Sequence, residues 1–270
     1  MNKKAAIAAG LGLAVVLILI FVIGQSKKTT REDKTAPQAE SLYQSALSLE
    51  AKGRPGEAAK LYQELIRQFP NFKGISDVEK RLWDLNMKIL FSPIITEKDI
   101  LYKVEPGDTL VKIAARYDTT AELIRLGNNL KSDLIRPGNR LKVSTAKYSV
   151  IIDKSQNTLT LKADDKIFKV YSVATGKYNY TPAGSFKIVE KLKNPDWHKA
   201  GEGIIPADSP KNILGTRWLG LSEPQYGIHG GASIKDLGCH LTNGCVRMLN
   251  SDIEELFTIL PRAAEVTIVE

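Results

Sequence analysis

The chain has 270 residues, 43% hydrophobic and 25% charged, enough for one large or two to three small domains. Its net charge of +8 is uneven: residues 1–34 carry six basic and two acidic residues (6 − 2 = +4), leaving +4 for everything beyond. That balance, with no Lys/Arg run interleaved with aromatics, excludes nucleic-acid binding, and two cysteines exclude a disulfide framework.

In chain order, Ala5 through Gly24 carries no charge, and a helix of that length spans about 30 Å, the thickness of a bilayer's hydrocarbon core. No small-x-small cleavage site is evident, so residues 1–24 read as an uncleaved membrane anchor with a short cytoplasmic N-terminus. Residues 25–35 form a polar linker, whose Lys27, Lys28, Arg31 and Lys34 favour anionic headgroups. The Lys/Arg balance across the anchor leaves its orientation open.

Residues 36–92 have helical periodicity. Ala39, Leu42, Ala46 and Leu49 share one face up to a stop at Gly53. Pro55 opens a second helix that aligns Ala58, Leu61, Tyr62, Leu65 and Phe69 and ends at Pro70. Ser76 with Glu79 forms a capping-box pattern for a third, with Val78, Leu82, Leu85 and Ile89 inward. The first pair resembles a tetratricopeptide-type hairpin, which is either a spacer or a surface for a protein partner. Its aromatics, Tyr43, Tyr62, Phe69 and Trp83, read as core.

Residues 101–144 form a second unit. Tyr102-Lys103-Val104-Glu105-Pro106-Gly107-Asp108-Thr109-Leu110 predicts a strand, a turn and a helix capped by Asp108 or Thr109. Thr119 with Glu122 caps another helix, and Pro137-Gly138 turns into a return strand. These segments, with Asn128-Asn129-Leu130 and Ile135-Arg136-Pro137-Gly138, resemble a LysM module. The resemblance implies a βααβ fold and binding to N-acetylglucosamine-containing glycan, with Gly107, Asp108, Thr109, Asn128 and Ile135 in the lining.

From residue 147 to 270 the texture is β. Tyr148–Ile152, Thr158–Leu161, Lys166–Ala174, Ser185–Glu190 and Glu265–Val269 read as strands, and Ser251–Leu260 as the one helix. Within this region Ile228-His229-Gly230 precedes Thr242-Asn243-Gly244-Cys245-Val246-Arg247-Met248. A cysteine on a glycine turn, with a histidine for a base, suits acyl transfer: the imidazole activates the thiol, and successive N–H groups of the turn stabilise an oxyanion.

These motifs are joined in order by Thr181-Pro182-Ala183-Gly184-Ser185-Phe186, Asn194-Pro195-Asp196-Trp197, Leu214 to Leu221 and Tyr226-Gly227. Together they resemble the catalytic domain of the L,D-transpeptidases of the YkuD type, which act on peptidoglycan stem peptides. The resemblance implies a mostly-β sandwich, Cys245 as nucleophile and His229 as base, hydrogen-bonded to the thiol and steadied by the Gly230 carbonyl. Gly244 and Cys245 would supply the oxyanion N–H groups, with Thr242, Gly230 and Arg247 supporting the site. It implies cleavage of the bond between the third stem residue and D-alanine through a thioester, then crosslinking to a neighbouring stem amine. No cofactor is expected. The expected location is the cell membrane, single-pass, with the catalytic part facing the wall or periplasm. Two other readings stay open: a non-catalytic membrane-tethered scaffold, or an L,D-carboxypeptidase or wall-protein attachment enzyme.

Thr242-Asn243 stands where many family members carry Ser-His, and Gly231 where a threonine often follows His-Gly. Cys239, six residues before Cys245 (245 − 239), raises the idea of a reversible disulfide. Zinc on His229, Cys239, His240 and Cys245 is disfavoured, because adjacent Cys239 and His240 fit one tetrahedral ion poorly.

Overall fold

The computed structural model describes residues 36–199, 201 and 203–270. The expected anchor and linker lie outside the described residues; among the described ones no helix is long and apolar enough to cross a membrane. The chain divides into two compact units, one ending at Leu82 and the other Trp83–Glu270.

The first unit is helical: α1 over 36–51, α2 (Pro55–Gln68) and the start of α3 (Ile75–Leu90). Gly53 takes a left-handed φ of 69° after α1, and Pro55 sits in the first turn of α2, as their placement predicts. Ala46, Ala58, Tyr62, Leu65 and Val78 are fully buried. The Tyr43 ring lies 6.2 Å from Tyr62 and 5.7 Å from Phe72. Ser76 does not cap α3, because the helix has already begun at Ile75.

The second unit opens with the rest of α3 and a βααβ module. β1 (Asp99–Lys103) pairs antiparallel with β2 (Arg140–Ser144) around α4 (Leu110–Arg116) and α5 (Ala121–Gly127). Val104, Leu110, Ile113, Ile124, Leu141 and Val143 form its core. Thr109 caps α4, accepting from the Lys112 N–H at 3.2 Å. The cap of α5 is Thr120 rather than Thr119: Thr120 accepts from Leu123 N–H at 2.9 Å, while the buried Thr119 hydroxyl has no partner among the described residues. The Thr119 N–H still bonds back to Ala114, so the chain enters α5 one residue later. Lys142 of β2, 5% exposed, donates to the carbonyls of Ile89 (2.8 Å), Leu90 (3.3 Å) and Ser92 (2.9 Å) at the end of α3.

The remainder is one mixed sheet of eight strands in the order β13-β11-β10-β7-β14-β3-β4-β5. Its members are β3 (Tyr148–Asp153), β4 (Thr158–Ala163), β5 (Lys166–Ser172), β7 (Gly184–Lys193), β10 (Arg217–Leu221), β11 (Gly227–His229), β13 (Val246–Arg247) and β14 (Glu265–Val269). Gly184–Lys187 of β7 pair with β14, and Ile188–Lys193 pair with β10. β7 therefore passes from one half of the sheet to the other, and the halves enclose a common core that includes Ile152, Leu159, Leu161, Ile188, Leu219, Ile228 and Ile268. The single helix after the cysteine, α6 (Asn250–Ile259), closes that core with Ile253, Leu256 and Ile259. Short pairs complete the unit: β6 (Thr175–Gly176) with β12 (His240–Thr242), and β8 (Trp197–Lys199) with β9 (Gly203–Ile205).

Candidate active site

β11 and β13 run parallel at one edge of the sheet, with Ile228 opposite Val246 and His229 opposite Arg247. Ile228 and Val246 are buried in the core, so alternation turns His229 and Arg247 to the other face. Cys245, one residue before Val246, falls level with Gly227, and the Gly227 N–H bonds toward its thiol. A side chain at position 227 would strike the Trp218 indole, which lies 2.6 Å from where its Cβ would stand. Trp218 pairs with His229 across β10 and β11, and the rings stack at 5.9 Å and 25°. Its Nε1 donates to Glu190 at 3.1 Å. Trp218 thus fixes the imidazole plane, a role that single-sequence reading missed.

The turn before the thiol is clamped by Thr242, 3% exposed, which donates to the Cys245 carbonyl at 2.6 Å and accepts from the Gly244 N–H at 3.2 Å. Gly244 has φ of 128°, and a Cβ there would stand 2.6 Å from the Tyr226 ring. With the Gly244 N–H bonded to Thr242, the Cys245 N–H is the remaining oxyanion candidate of the expected pair.

His229 is 2% exposed, and its Nδ1 donates to the Gly230 carbonyl at 2.8 Å, leaving Nε2 as the basic nitrogen. Burial and the Arg247 cation push its pKa down to about 4, against the smaller pull of the Gly230 and Leu214 carbonyls. Burial likewise pushes the Cys245 thiol up, partly offset by the Gly227 N–H and Arg247. Both groups are therefore neutral at pH 7. The expected thiol–imidazole hydrogen bond is not among those of the described residues. Instead Sγ is directed at the Gln225 carbonyl, 3.7 Å away, presented by a backbone at φ of 71°. An acyl-transfer role for the thiol would require it to turn from that carbonyl toward the imidazole, a contact of the kind that in enzymes often tightens only with substrate bound. Arg247 keeps a buried Nε with no partner among the described residues.

The other two histidines are placed elsewhere. His198 is exposed on β8, and His240 is held by Asn157 (3.2 Å) and Thr175 (2.8 Å). Cys239 and Cys245 are both free thiols. Among the described residues no cluster of three or more His, Cys, Asp or Glu is placed to hold a metal ion.

In the βααβ module, the Asp108 carboxylate accepts from Tyr102 at 2.7 Å and from the Glu105 N–H at 2.9 Å. The Asn128 amide bonds to Ile124, and at both ends to the Lys142 backbone. Thr109 is the helix cap, Gly107 takes φ of 85° at the turn, and Ile135 packs on the core. These side chains hold the loops in shape.

A catalytic sheet with a cysteine and a histidine on adjacent parallel strands, preceded by a βααβ module, defines a class. The L,D-transpeptidase catalytic domain matches residues 147–268 and the LysM domain residues 102–144. The chain belongs to the YkuD-type L,D-transpeptidase family: it is 33% identical to the protein named L,D-transpeptidase YkuD of Bacillus licheniformis over 178 residues, 63% of this chain and 98% of the relative. It is 39% identical to L,D-transpeptidase YqjB of Bacillus subtilis over 127 residues, 45% of this chain and 70% of that one. Among solved structures, the catalytic domain of an E. faecium L,D-transpeptidase aligns with TM-score 0.38 at 20% identity, covering 46% of this chain and 97% of that chain.

Proposed function

We propose that the protein is a cysteine L,D-transpeptidase that crosslinks peptidoglycan. The observation that carries this is the parallel pairing of β11 and β13, which sets His229 and Cys245 on one face around the bare Gly227. The neutral imidazole takes the thiol proton as sulfur attacks the carbonyl between the third stem residue and D-alanine. The Cys245 N–H holds the oxyanion, and His229 returns the proton to the departing D-alanine amine, leaving a thioester. An amine of a neighbouring stem then attacks the thioester, frees the thiol and forms the crosslink. Arg247, on the same face as His229, contributes a positive charge that partly offsets the burial of the thiol. The LysM module holds the glycan, the helical unit serves as spacer or partner surface, and residues 1–24 anchor the chain with its catalytic part facing the wall.

A scaffold without catalysis is the second reading, favoured by the thiol's contact with Gln225 in place of His229. Intact-mass measurement after mixing with tetrapeptide stems separates the two. Wild type gains the mass of the acyl tripeptide and forms crosslinked products, whereas Cys245→Ala does neither. An unmodified wild type that still binds glycan would favour the scaffold.

A further inference from the structure

The loop before Thr181 carries two tyrosines in the open. Tyr178 is 80% exposed and Tyr180 50%, although aromatic side chains gain most from burial. Their rings brace each other edge to face at 5.7 Å and 64°, and the Lys177 ammonium lies 5.9 Å from the Tyr178 ring centroid. Tyr178 and Asn179 are consecutive non-glycine residues in the left-handed region, with φ of 52° and 60°. Such a pair is costly and persists only where its surroundings enforce it. Here the enforcing group is Lys154, whose side chain is 6% exposed. Its Nζ donates to Asn179 Oδ1 (2.6 Å), the Thr181 carbonyl (3.0 Å) and Glu270 (2.8 Å). The Gly176 N–H donates to Thr181 Oγ1 at 2.7 Å, which ties the loop's two ends together. Pinned at Asn179 and Thr181, the loop presents Tyr178 to solvent as a rigid surface. It also adjoins the thiol turn: the Tyr180 carbonyl is 3.1 Å from where a Cβ on Gly244 would stand.

We propose that Tyr178 and Tyr180 form a sugar-binding platform beside Cys245 that stacks a pyranose ring of the glycan strand bearing the stem peptide. This rests on the acyl-transfer reading of Cys245. The apolar C–H face of a pyranose complements the negative face of an aromatic ring, and the phenols and the Lys177 amine, which lies over the Tyr178 ring, are hydrogen-bonding groups for sugar hydroxyls. A glycan held here and at the LysM module is gripped at two points, so each contact raises the local concentration of the other.

Hydroxyl-radical footprinting of the full chain tests this, read by mass spectrometry with peptide-free glycan chains in one arm and sugar-free tetrapeptide in the other. Oxidation of Tyr178 and Tyr180 is expected to fall severalfold with glycan and to stay unchanged with tetrapeptide. No protection by glycan, or equal protection by tetrapeptide, overturns the proposal. The footprint needs no turnover, so it stands whether or not Cys245 forms a thioester. On glycan-linked stems Tyr178→Ala is expected to lower the crosslinking rate about tenfold, the usual cost of truncating a central aromatic contact. Acylation of Cys245 by a carbapenem, which the resemblance to the L,D-transpeptidases implies, should be unchanged, and Tyr178→Trp should restore the rate. An unchanged crosslinking rate in Tyr178→Ala, or an equal loss with the carbapenem, counts against it.

Discussion

At the scale of single residues, the site is built from two groups that both avoid charge. The Gly230 carbonyl fixes the tautomer of His229, Trp218 fixes its plane, and burial beside Arg247 keeps it neutral. In the acyl transfer proposed above, a neutral imidazole would take the thiol proton as the bond to carbon forms, with no thiolate–imidazolium pair beforehand. The same burial has a cost in stability. The folded pKa of His229, about 4, lies below its unfolded value of 6.5. Between those values the unfolded chain binds a proton that the folded one does not, so stability falls as pH drops through that window and the slope ends near pH 4. Over that span of 2.5 units (6.5 − 4) the loss amounts to about 3 kcal/mol. Urea unfolding of wild type and His229→Gln at pH 7 and pH 4.5 should show the variant losing less stability on acidification. Equal losses in both proteins would contradict a neutral buried imidazole. Carbapenem acylation of wild type should correspondingly persist below pH 6 and fall only toward pH 4.

Among the elements, the threonine pair ahead of α5 separates a cap from its neighbour. Thr120→Ala removes the acceptor for the Leu123 N–H together with a bond to the Thr258 carbonyl, and should cost about 1–2 kcal/mol. Thr119→Ala removes a hydroxyl with no partner among the described residues and should cost far less. Thermal unfolding of the two variants gives the order directly; the reverse order would place the cap back at Thr119. Sequence periodicity alone could not choose between adjacent threonines, because both precede the same apolar positions. Longer elements were easier to read. β3 alternates buried and half-buried residues along its length, and Glu265–Val269 was predicted to the residue. The strands that build the site were not: β10, β11, β12 and β13 run two to five residues and exist through pairing with distant partners. Cys245 and His229 stood out by residue type and motif, whereas Gln225, Trp218 and Asn250 were silent. Their parts come from a carbonyl, a stacked ring and an amide oxygen bonded to the Thr216 and Gly231 N–H groups, none visible in local spacing.

Across Trp83–Glu270, the LysM module and the catalytic sheet are not beads on a string. Leu123 of α5 is 3% exposed and belongs to the same apolar cluster as Ile228, Val246 and Leu256 of the catalytic domain. Thr120 bonds to the end of α6, Glu122 pairs with Lys193 at 2.9 Å, and Lys142 grips the end of α3. The Lys193–Glu122 pair is half exposed and contributes little by itself, so the join rests on Leu123 and the buried polar contacts. A glycan bound to the module is then held at a fixed offset from Cys245, with no linker entropy to overcome. Leu123→Ala tests this coupling. Removing a buried leucine costs about 2–5 kcal/mol, and a shared core transmits that loss to both domains as one unit. Calorimetry should show the unfolding of this unit as one transition in wild type, shifted down as a whole in the variant. Two transitions, with only the LysM portion displaced, would mean independent domains. Well below its melting temperature the variant remains folded as one unit, so acylation of Cys245 by a carbapenem should be retained there.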